Sequence, residues 1–410
     1  MGRKNLVVGM DIGTSQVRVV VAEPRLDGTV NVIGAGLSPS EGIKKGVIID
    51  LDRTVESIST AVEEAERMVP YKIDSAYIGL AGLNVELINN RGVVAVASDD
   101  REILEEDVTR VLQATRVIAL PSDREIVDII PREFIVDGYD GIRDPVGMLG
   151  VRLEVDAMII TSPITSLRNL TRCINRAGIN VNGLVLQSLA NAEVALSGDE
   201  KELGVYLLDI GGGTTELSLF QNGKLNKLSV LPIGGDHITS DLAMALRVSS
   251  LSAEALKIDY GCAAVSIADE DKVTEIKSVG SRERHQVSEA DLAGYIEPRV
   301  LEIFQLAQQE MGKMCPNQWP PAGIVLTGGV SAMHGVPELA RLFFNSGDQV
   351  RVAEPEYLGV NDVYGTATGI VYYAQKYQQA GLVPAREKSP LSKGVGFLQR
   401  IKDWFNEIWE

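Results

Sequence analysis

The sequence predicts an α/β fold that is built twice, with both halves facing one cleft. Two stretches share a pattern of strand, tight turn and strand, in which an apolar run meets an acid, glycine and hydroxyls: Val7-Val8-Gly9-Met10-Asp11-Ile12-Gly13-Thr14-Ser15 and Leu207-Leu208-Asp209-Ile210-Gly211-Gly212-Gly213-Thr214-Thr215-Glu216. A third apolar run ends in glycines at Ile324-Val325-Leu326-Thr327-Gly328-Gly329-Val330-Ser331. Two such turns half a chain apart indicate a duplication, and the third is typical of a strand that ends close to a ligand.

The composition of the turns suits a phosphate group. Glycines remove the Cβ atoms, so backbone N–H groups can approach an oxyanion, and Thr214 and Thr215 add hydroxyl donors. Asp209 stands at a strand end beside the turn, as Asp11 does in the first half. A carboxylate beside an anion requires a cation or water between them, which indicates a metal-bound phosphate ester.

Length and composition exclude several classes of protein. The chain has 410 residues, 45% hydrophobic and 23% charged, which is ordinary for a soluble globular protein of two or three domains. A net charge of −17 argues against nucleic acid as the main partner, because binding nucleic acid requires basic clusters. Cys173, Cys262 and Cys315 do not stand at ligand spacing from the histidines, so we expect reduced thiols and neither disulfides nor a zinc site.

No apolar run reaches the length of a membrane-spanning helix. The N-terminal apolar run breaks at Gly9 and Asp11 and is too short for a signal peptide. We therefore expect the bulk of the protein in the cytosol.

The first half alternates strands with helices. Residues 52–69 have helical periodicity, with Asp52 as the expected N-cap. From about 84 to 162 the pattern changes to that of a small inserted α+β module, with strands expected at 93–97, 125–130, 133–136 and 153–161 and a helix at 105–116. A helix at 166–177, a strand at 181–186 and a helix at 188–196 follow.

The second half continues after the central turn. Helices are expected at 239–246, 252–260 and 336–344, with a charged, loop-like segment at 269–286. Residues 289–314 form a long helical stretch that we expect to break near Pro298.

The C-terminal segment differs from the body. Residues 378–394 hold prolines and glycines among small and polar residues, which is typical of a flexible linker. Large apolar side chains then recur at helical spacing, at Phe397, Leu398, Ile401, Trp404, Phe405, Ile408 and Trp409. This stripe, with basic residues nearby, is typical of a helix lying in an anionic lipid surface. The alternative is a helix docked on the body or on a partner protein.

The three turns resemble the two phosphate motifs and the adenosine motif of the actin, sugar-kinase and heat-shock-70 ATPase superfamily. Within it, the chain is most similar to the FtsA family of bacterial cell-division actin homologues, through Pro232-Ile233-Gly234-Gly235-Asp236-His237-Ile238-Thr239, Ile296-Glu297-Pro298-Arg299, the insert and the C-terminal stripe. The resemblance covers essentially all residues. It implies an α/β fold of duplicated actin-like (ribonuclease H-like) domains around a nucleotide cleft, with the small α+β subdomain inserted in the first half.

The resemblance also implies a division into subdomains. These are 1–83, part of the first actin-like subdomain 1A; 84–162, the inserted subdomain 1C; 163–196, the return to 1A with a connecting helix; 197–240, part of the second actin-like subdomain 2A; 241–318, subdomain 2B; 319–360, the return to 2A; 361–377, a second connecting helix back to 1A; 378–394, the linker; and 395–410, the amphipathic membrane-targeting helix.

The ligand that the resemblance implies is ATP with Mg²⁺, the metal being held through water by Asp11 and Asp209. The nucleotide-binding residues that it implies are Gly13, Thr14, Ser15, Arg18, Gly211, Gly212, Gly213, Thr214, Thr215, Glu254, Lys257, Gly328, Gly329 and Met333. Gln187 stands where relatives position the attacking water, which makes it a catalytic candidate together with Asp11 and Asp209. A plain strand-end polar residue is the alternative for Gln187, and an exposed ion pair is the alternative for Glu254 and Lys257.

The function that the resemblance implies is that of an ATP-binding scaffold in bacterial cell division. Such a protein polymerises, binds the C-terminal tail of the tubulin-like ring protein FtsZ through Arg299 and Glu302, and tethers the ring to the membrane. It recruits later division proteins through the insert, and it lies peripherally on the cytoplasmic side of the membrane at the septum. ATP hydrolysis would be slow or absent, since a switch needs only differential binding.

Three alternatives remain open at this point. A small-molecule kinase could use the same fold, and so could an actin-like membrane adaptor of pilus assembly. For Arg299 and Glu302, a solvated helix face explains the pair as well as a binding surface does.

Overall fold

The computed structural model describes residues 6–25, 28–280, 283–316, 319–344, 349–354 and 362–379. Its strands are β1 (Val7–Ile12), β2 (Gln16–Pro24), β3 (Val30–Pro39), β4 (Ile43–Lys44), β5 (Val47–Ile48), β6 (Ser75–Leu80), β7 (Glu86–Ala95), β8 (Arg124–Val136), β9 (Tyr139–Ile142), β10 (Arg152–Pro163), β11 (Asn180–Leu186), β12 (Val205–Ile210), β13 (Thr215–Gln221), β14 (Lys224–Leu231), β15 (Val273–Ile276), β16 (His285–Ser288), β17 (Ile324–Thr327) and β18 (Val350–Val352). Its helices are α1 (Leu51–Met68), α2 (Glu105–Ala114), α3 (Ile164–Arg176), α4 (Gln187–Ala195), α5 (Gly198–Leu203), α6 (Gly235–Leu246), α7 (Ser250–Tyr260), α8 (Glu289–Met314), α9 (Val336–Phe344) and α10 (Gly365–Gln379).

Two five-stranded sheets with the same topology confirm the predicted duplication. The strand order is β11-β6-β1-β2-β3 in the first sheet and β18-β17-β12-β13-β14 in the second. In each, an antiparallel meander of three strands is extended by two parallel strands. Asp11 and Asp209 are both the fifth residue of a six-residue strand, β1 and β12. The two acids therefore occupy equivalent positions in the two halves.

Helices α4 and α10 pack closely between the halves. A Cβ on Gly369 would lie 2.2 Å from the carbonyl oxygen of Ala190, and one on Gly9 would lie 2.3 Å from that of Ala367. Only glycine fits at such approaches. Glycine at these two positions is thus needed to bring α10 against α4 and β1.

The insert forms a separate antiparallel sheet, ordered β7-β10-β8-β9, against which α2 packs. We expected two strands at 125–130 and 133–136, but β8 is continuous through Pro131. Its pairing with β10 shifts register next to the Pro131–Ala157 pair, and a bulge tolerates a residue that cannot donate a ladder hydrogen bond.

Helix α1 begins one residue earlier than expected, and its N-cap is Asp50 rather than Asp52. The Asp50 side chain accepts hydrogen bonds from the N–H groups of Asp52 at 3.0 Å and Arg53 at 3.1 Å. Asp52 instead lies in the first turn, where a negative charge also favours a helix.

Helix α8 is continuous, so the break expected at Pro298 is wrong. A proline ring crowds the carbonyl of residue i−4, which here belongs to the exposed Gly294, where a Cβ would meet nothing within 4 Å. The opposite face, including Ile296, Val300 and Phe304, is fully buried in the second-half core. Packing on both sides of the proline therefore holds the helix together.

The segment 269–286 was expected to be loop-like, yet it contains β15 and leads into β16, which pair as an antiparallel ribbon. Five of their eight residues are polar and four are exposed, so the sequence carries no apolar alternation to indicate strands. The predicted C-terminal helix at 395–410 lies outside the described residues, as does the predicted linker apart from Gln378 and Gln379, which belong to α10. Within the described ranges, no helix combines the length and apolar character needed to cross a bilayer.

Candidate functional site

The two glycine turns face each other. A Cβ on Gly212 would lie 1.9 Å from the Ser15 hydroxyl oxygen, and one on Gly213 would lie 2.7 Å from Thr14 Cγ2. The tip of the first turn therefore occupies the space that a side chain on the second would need. These glycines allow the two halves to approach at the level of the backbone.

Both turns are closed in the same way. The Gly13 N–H donates to the Gln16 carbonyl at 3.1 Å, and the Gly211 N–H donates to the Thr214 carbonyl at 2.9 Å. The shared closure follows from the shared strand-turn-strand pattern.

The start of α6 orients the second turn. The Gly211 carbonyl accepts from the Gly235 N–H at 2.9 Å, and the Gly212 carbonyl accepts from the Asp236 N–H at 2.8 Å. In the described part of the chain, the N–H groups of Gly212 and Gly213 donate to no protein acceptor. Two adjacent unpaired N–H groups in a turn form a concave site for an anion.

Asp11 is buried and held from two sides. Its Oδ1 accepts from Gln187 Nε2 at 2.6 Å, and its Oδ2 accepts from Arg18 Nη1 at 3.0 Å. Burial raises the pKa of Asp11, and the charge of Arg18 opposes that shift. Arg18 is therefore engaged with the carboxylate, and its Nη1 would lie 3.6 Å from a Cβ on Gly13 of the first turn.

Asp209 is less well compensated. Its Oδ2 accepts from Asn191 Nδ2 at 2.8 Å. Burial, followed by the negative charge of Asp11, raises the pKa of Asp209 to about 6. Two neighbouring carboxylates repel each other when both are ionised, and a divalent cation between them offsets this repulsion. Carboxylate oxygens are ligands that suit Mg²⁺. Asp11 and Asp209 therefore fit the metal that the sequence implies.

Helix α4 donates a hydrogen bond to each of the two carboxylates, Asp11 and Asp209. Gln187 and Asn191 are one helical turn apart, so their amides project from one face, and each amide holds one of the two acids. Gln187 was a candidate from the sequence, whereas Asn191 was missed. Its i, i+4 spacing from Gln187 was the available signal.

A cleft of about 440 Å³ opens beside the turns, within the range of small-molecule sites. The first half contributes Thr14, Ser15, Gln16, Pro39 and Ser40, and the second half contributes Asp236, Thr239, Ser240, Ser250, Glu254 and Ile258. Both halves therefore line one concave site, and nine of its eleven lining residues have polar side chains.

Glu254 lines this cleft and is paired with Lys257. Lys257 is only 8% exposed, and its Nζ donates to Glu254 Oε2 at 2.6 Å, to Thr239 Oγ1 at 2.9 Å and to the Gly235 carbonyl at 3.3 Å. The pair is thus no simple surface ion pair. It fastens α7 to α6, and it leaves the partly exposed Glu254 at the cleft surface.

The third turn lies next to the second acid. Gly328 has a φ of +88°, and a Cβ there would lie 2.3 Å from Asp209 Oδ1. Gly329 faces open space, while Met333 is partly buried against the second-half core. All three predicted turns therefore meet at the strand ends of the second sheet.

Thr215 is the predicted residue whose side chain is turned away. It is fully buried, and its hydroxyl donates to the Ile233 carbonyl at 2.8 Å. This bond connects the turn to the segment before α6. Thr215 thus supports the turn from within the second half, whereas Thr214 remains partly exposed.

The short hairpin β4–β5 was not predicted as a unit, because the sequence indicates only a single short strand at 46–50. The Gly46 N–H at its tip donates to Thr14 Oγ1 at 3.0 Å, and Lys45 Cα would lie 3.0 Å from a Cβ on Gly213. Lys45 has a φ of 50° and is exposed. The hairpin therefore brings the backbone of Lys45 to the place where the two turns meet.

Arg299 and Glu302 lie on α8, away from the turns. Arg299 makes two hydrogen bonds to Asp241 of α6, at 2.6 and 3.0 Å, and also contacts Glu302. The guanidinium is therefore bound within the second half. Glu302, whose side chain is 49% exposed, is the more accessible of the pair.

Comparison with known proteins gives consistent results. The family model described as cell division protein FtsA matches residues 206–370, and the one described as an SHS2 domain inserted in FtsA matches residues 82–161. The chain is 45% identical to the cell division protein FtsA of Bacillus subtilis, over 91% of this chain and 84% of that one. It is 39% identical to the cell division protein FtsA of Pseudomonas aeruginosa, over 97% of both chains.

Solved structures of more distant proteins share the fold. A PilM–PilN type IV pilus biogenesis complex aligns with a TM-score of 0.60 and 17% identity, over 90% of this chain and 98% of that chain. MreB5 of Spiroplasma citri bound to AMPPNP aligns with a TM-score of 0.58 and 13% identity, over 92% and 98%. These likenesses confirm the duplicated actin-like architecture.

Proposed function

Because the chain belongs to the FtsA family of cell division proteins, we propose that it is an ATP-binding scaffold whose nucleotide state controls the assembly of an actin-like polymer. One observation supports this most directly. Equivalent turns from the two halves meet tip to tip, with a buried carboxylate behind each. A ligand between such turns contacts both halves, so its binding favours one relative position of the halves over others.

Different residues would bind the phosphates and the metal of Mg–ATP. The hydroxyls of Thr14 and Ser15 and the free N–H groups of Gly212 and Gly213 would bind the phosphates. Asp11 and Asp209 would hold the metal through water, and Mg²⁺ supplies positive charge that offsets the phosphates. MreB5 of Spiroplasma citri, which shares the fold, is described as bound to AMPPNP, and this supports a nucleotide as the ligand.

Slow or absent hydrolysis is part of the proposal. Gln187 was the candidate for positioning the attacking water, but its amide donates to Asp11 at 2.6 Å. An amide engaged in this way would have to leave the carboxylate before it could orient a water molecule. We expect nucleotide binding to be the controlling event, with hydrolysis secondary.

The C-terminal stripe is proposed to attach the polymer to the membrane. Trp404 belongs to the apolar stripe at 397–409, whereas Asn406 falls between its members. Trp404→Glu should reduce sedimentation with anionic liposomes at least tenfold, because apolar burial dominates the attachment of such helices. Asn406→Glu adds the same charge outside the stripe and is the matched control. Equal losses in both variants would point to charge alone.

The second half is proposed to hold the FtsZ C-terminal peptide on the face of α8 that carries Glu302. Arg299 is tied to Asp241, so we expect Glu302 to contribute more of the contact. Glu302→Gln should weaken peptide binding several-fold, whereas Glu270→Gln, an exposed acid in a loop, should not. Unchanged peptide binding in both variants would show that the peptide binds at another surface.

The insert is proposed to contact other division proteins. Tyr139, Leu149 and Val151 are 78%, 71% and 53% exposed, and exposed apolar side chains of this kind suit a docking surface. The proposed place of the protein is the cytoplasmic face of the cell membrane at the septum, with itself, FtsZ and lipid as partners.

Cosedimentation with anionic liposomes, with and without ATP and FtsZ, tests the whole proposal. We expect ATP to increase assembly on lipid and FtsZ to follow the protein into the pellet. ATP-driven phosphate transfer to a sugar or acid, far faster than spontaneous hydrolysis, would instead identify a kinase. Equal amounts of assembled protein with and without ATP would refute the proposed nucleotide switch.

A further inference from the structure

We propose a binding site for a zinc-like transition metal ion in the second half, formed by Cys262, Glu289 and His334. One ligand atom from each residue can be chosen so that all three lie within 4.8 Å of one another. Cys262 and Glu289 are buried, whereas His334 is exposed, so an ion could enter from the His334 side. None of the three lines the cleft beside the phosphate turns.

The backbone fixes two of the ligands side by side. Cys262 and His334 form an isolated parallel bridge, and the Ala263 N–H donates to the His334 carbonyl at 2.7 Å. Gly335 follows with a φ of +84°, and a Cβ there would lie 3.2 Å from Cys262 Sγ. The loop after β17 is therefore held against the end of α7. Pre-positioned ligands lose little freedom when a metal binds.

The third ligand is also held in place. Glu289 is the first residue of α8 and is 2% exposed. Its Oε1 accepts from Lys272 Nζ at 2.6 Å, and its Oε2 accepts from the Asp269 N–H at 2.9 Å. A carboxylate offers about four lone-pair positions, so two remain for a metal. Burial would raise the pKa of Glu289, but these hydrogen bonds outweigh it and lower the pKa, so the group is ionised.

The donor set decides which ion fits. Cys262 Sγ donates to the Ala264 carbonyl at 3.3 Å, and burial raises the pKa of this thiol, so an ion that binds here displaces its proton. Thiolate, imidazole and carboxylate together are the ligands of Zn²⁺ sites, with a fourth position open to water. Mg²⁺ prefers oxygen ligands in octahedral geometry, so Cys262 disfavours it. This site and the proposed nucleotide metal should therefore select different ions.

The sequence did not predict this site. We expected no zinc site because the cysteines and histidines do not fall at the short spacings of zinc motifs. Cys262 follows α7, Glu289 begins α8 and His334 lies between β17 and α9, and only the fold unites them. An ion here would join three separate elements of the second half and should stabilise their packing.

Metal binding to the full-length, tag-free chain without nucleotide tests the proposal. After dialysis against Zn²⁺, we expect one ion per chain, and Co²⁺ should give the absorption of a thiolate-bound cobalt. Cys262→Ser and His334→Ala should each weaken Zn²⁺ binding at least tenfold. Cys315→Ser and His285→Ala, which remove a thiol and an imidazole elsewhere in the second half, are the matched controls.

Thermal unfolding provides a second measurement. Zn²⁺ should raise the melting temperature of the wild type and of both control variants but not that of His334→Ala, whose exposed side chain is not needed for folding. No stoichiometric Zn²⁺ binding in the wild type would overturn the proposal. So would equal losses in test and control variants, or displacement of Zn²⁺ by excess Mg²⁺.

Discussion

The two sheets differ in the charge that they place beside their equivalent carboxylates, which is positive in the first sheet and negative in the second. Across the first hairpin, Asp11 pairs with Arg18, whereas across the second, Asp209 pairs with Glu216. Arg18 donates to Asp11 at 3.0 Å, while Asp209 is bonded by the neutral amide of Asn191. The first acid is neutralised within its own half, and the second is next to another acid.

This difference has electrostatic consequences in the second half. Burial, followed by the charge of Asp11, raises the pKa of Asp209 to about 6. Burial, followed by the charge of Asp209, raises the pKa of Glu216 to about 8. A duplicated fold has therefore become asymmetric. The first half carries its own cation, and the second half needs a cation from outside, which is the role proposed for Mg²⁺.

The largest expected effect on Mg–ATP binding comes from removing Asp209, the carboxylate that has no cation beside it. Asp209→Ala should weaken Mg–ATP binding by about 100-fold or more, since a charged ligand group is lost without replacement. Asp11→Ala should cost only about tenfold, because Arg18 is then released and can bind a phosphate instead. Calorimetric titration of both variants with Mg–ATP measures the contrast.

Asp271→Ala, which removes an exposed acid in a loop, is the control for that experiment. Melting temperatures should accompany the titrations, because loss of folding would imitate loss of binding. Equal losses in Asp209→Ala and Asp11→Ala would remove the asymmetry, and unchanged affinity in Asp209→Ala would mean that the cleft is not the nucleotide site.

The next effect concerns how the two turns meet. Gly212→Ala would put a methyl group against the Ser15 hydroxyl, at a distance of 1.9 Å before relaxation. We expect ATP affinity to fall about tenfold, because the turns can no longer converge. Gly294→Ala, in open space on α8, should leave binding unchanged. In a Ser15→Gly background, which already lacks the hydroxyl, Gly212→Ala should reduce ATP affinity less than it does in the wild type. An equal reduction in both backgrounds would argue against this contact as the cause.

The features that the sequence predicted are those encoded locally. An apolar run followed by an acid, glycine and hydroxyls specifies strand, turn and strand within one short segment, so both turns and the duplication were predictable. Gln187 was also within reach, because it directly follows the predicted strand at 181–186 and matches a position that the family resemblance marks. Asn191 follows it by one helical turn and could have been added by the same reasoning.

The features that were missed depend on contacts between distant segments. Gly82 and Glu216 are 134 residues apart, and Arg299 and Asp241 are 58 apart. The hydrophobic periodicity of a sequence does not reveal pairs that are so far apart in the chain. Lys45 likewise belongs to a hairpin of two-residue strands, whose importance arises only from the turns that it covers. The continuity of α8 also depends on packing that a local proline signal cannot reveal.

The smallest effect tests the buried acid of the second sheet. The Glu216 Oε2 accepts from the Gly82 N–H at 3.0 Å, across the two halves. Its pKa of about 8, raised from 4.5, means that ionisation opposes folding, so this group reduces stability progressively as the pH rises from about 4.5 to 8. Glu216→Gln keeps an acceptor for Gly82 and cannot ionise.

Glu216→Gln should therefore stabilise the nucleotide-free protein at pH 9 by roughly 1–3 kcal/mol and have little effect at pH 4.5. Urea unfolding at both pH values measures the difference, with Glu63→Gln on the exposed face of α1 as the control. A stabilisation independent of pH would show that Glu216 is not the titrating group. The equivalent position in the first sheet is Arg18, which already provides the charge that the second sheet lacks, and Arg18→Gln should destabilise the protein where Glu216→Gln stabilises it.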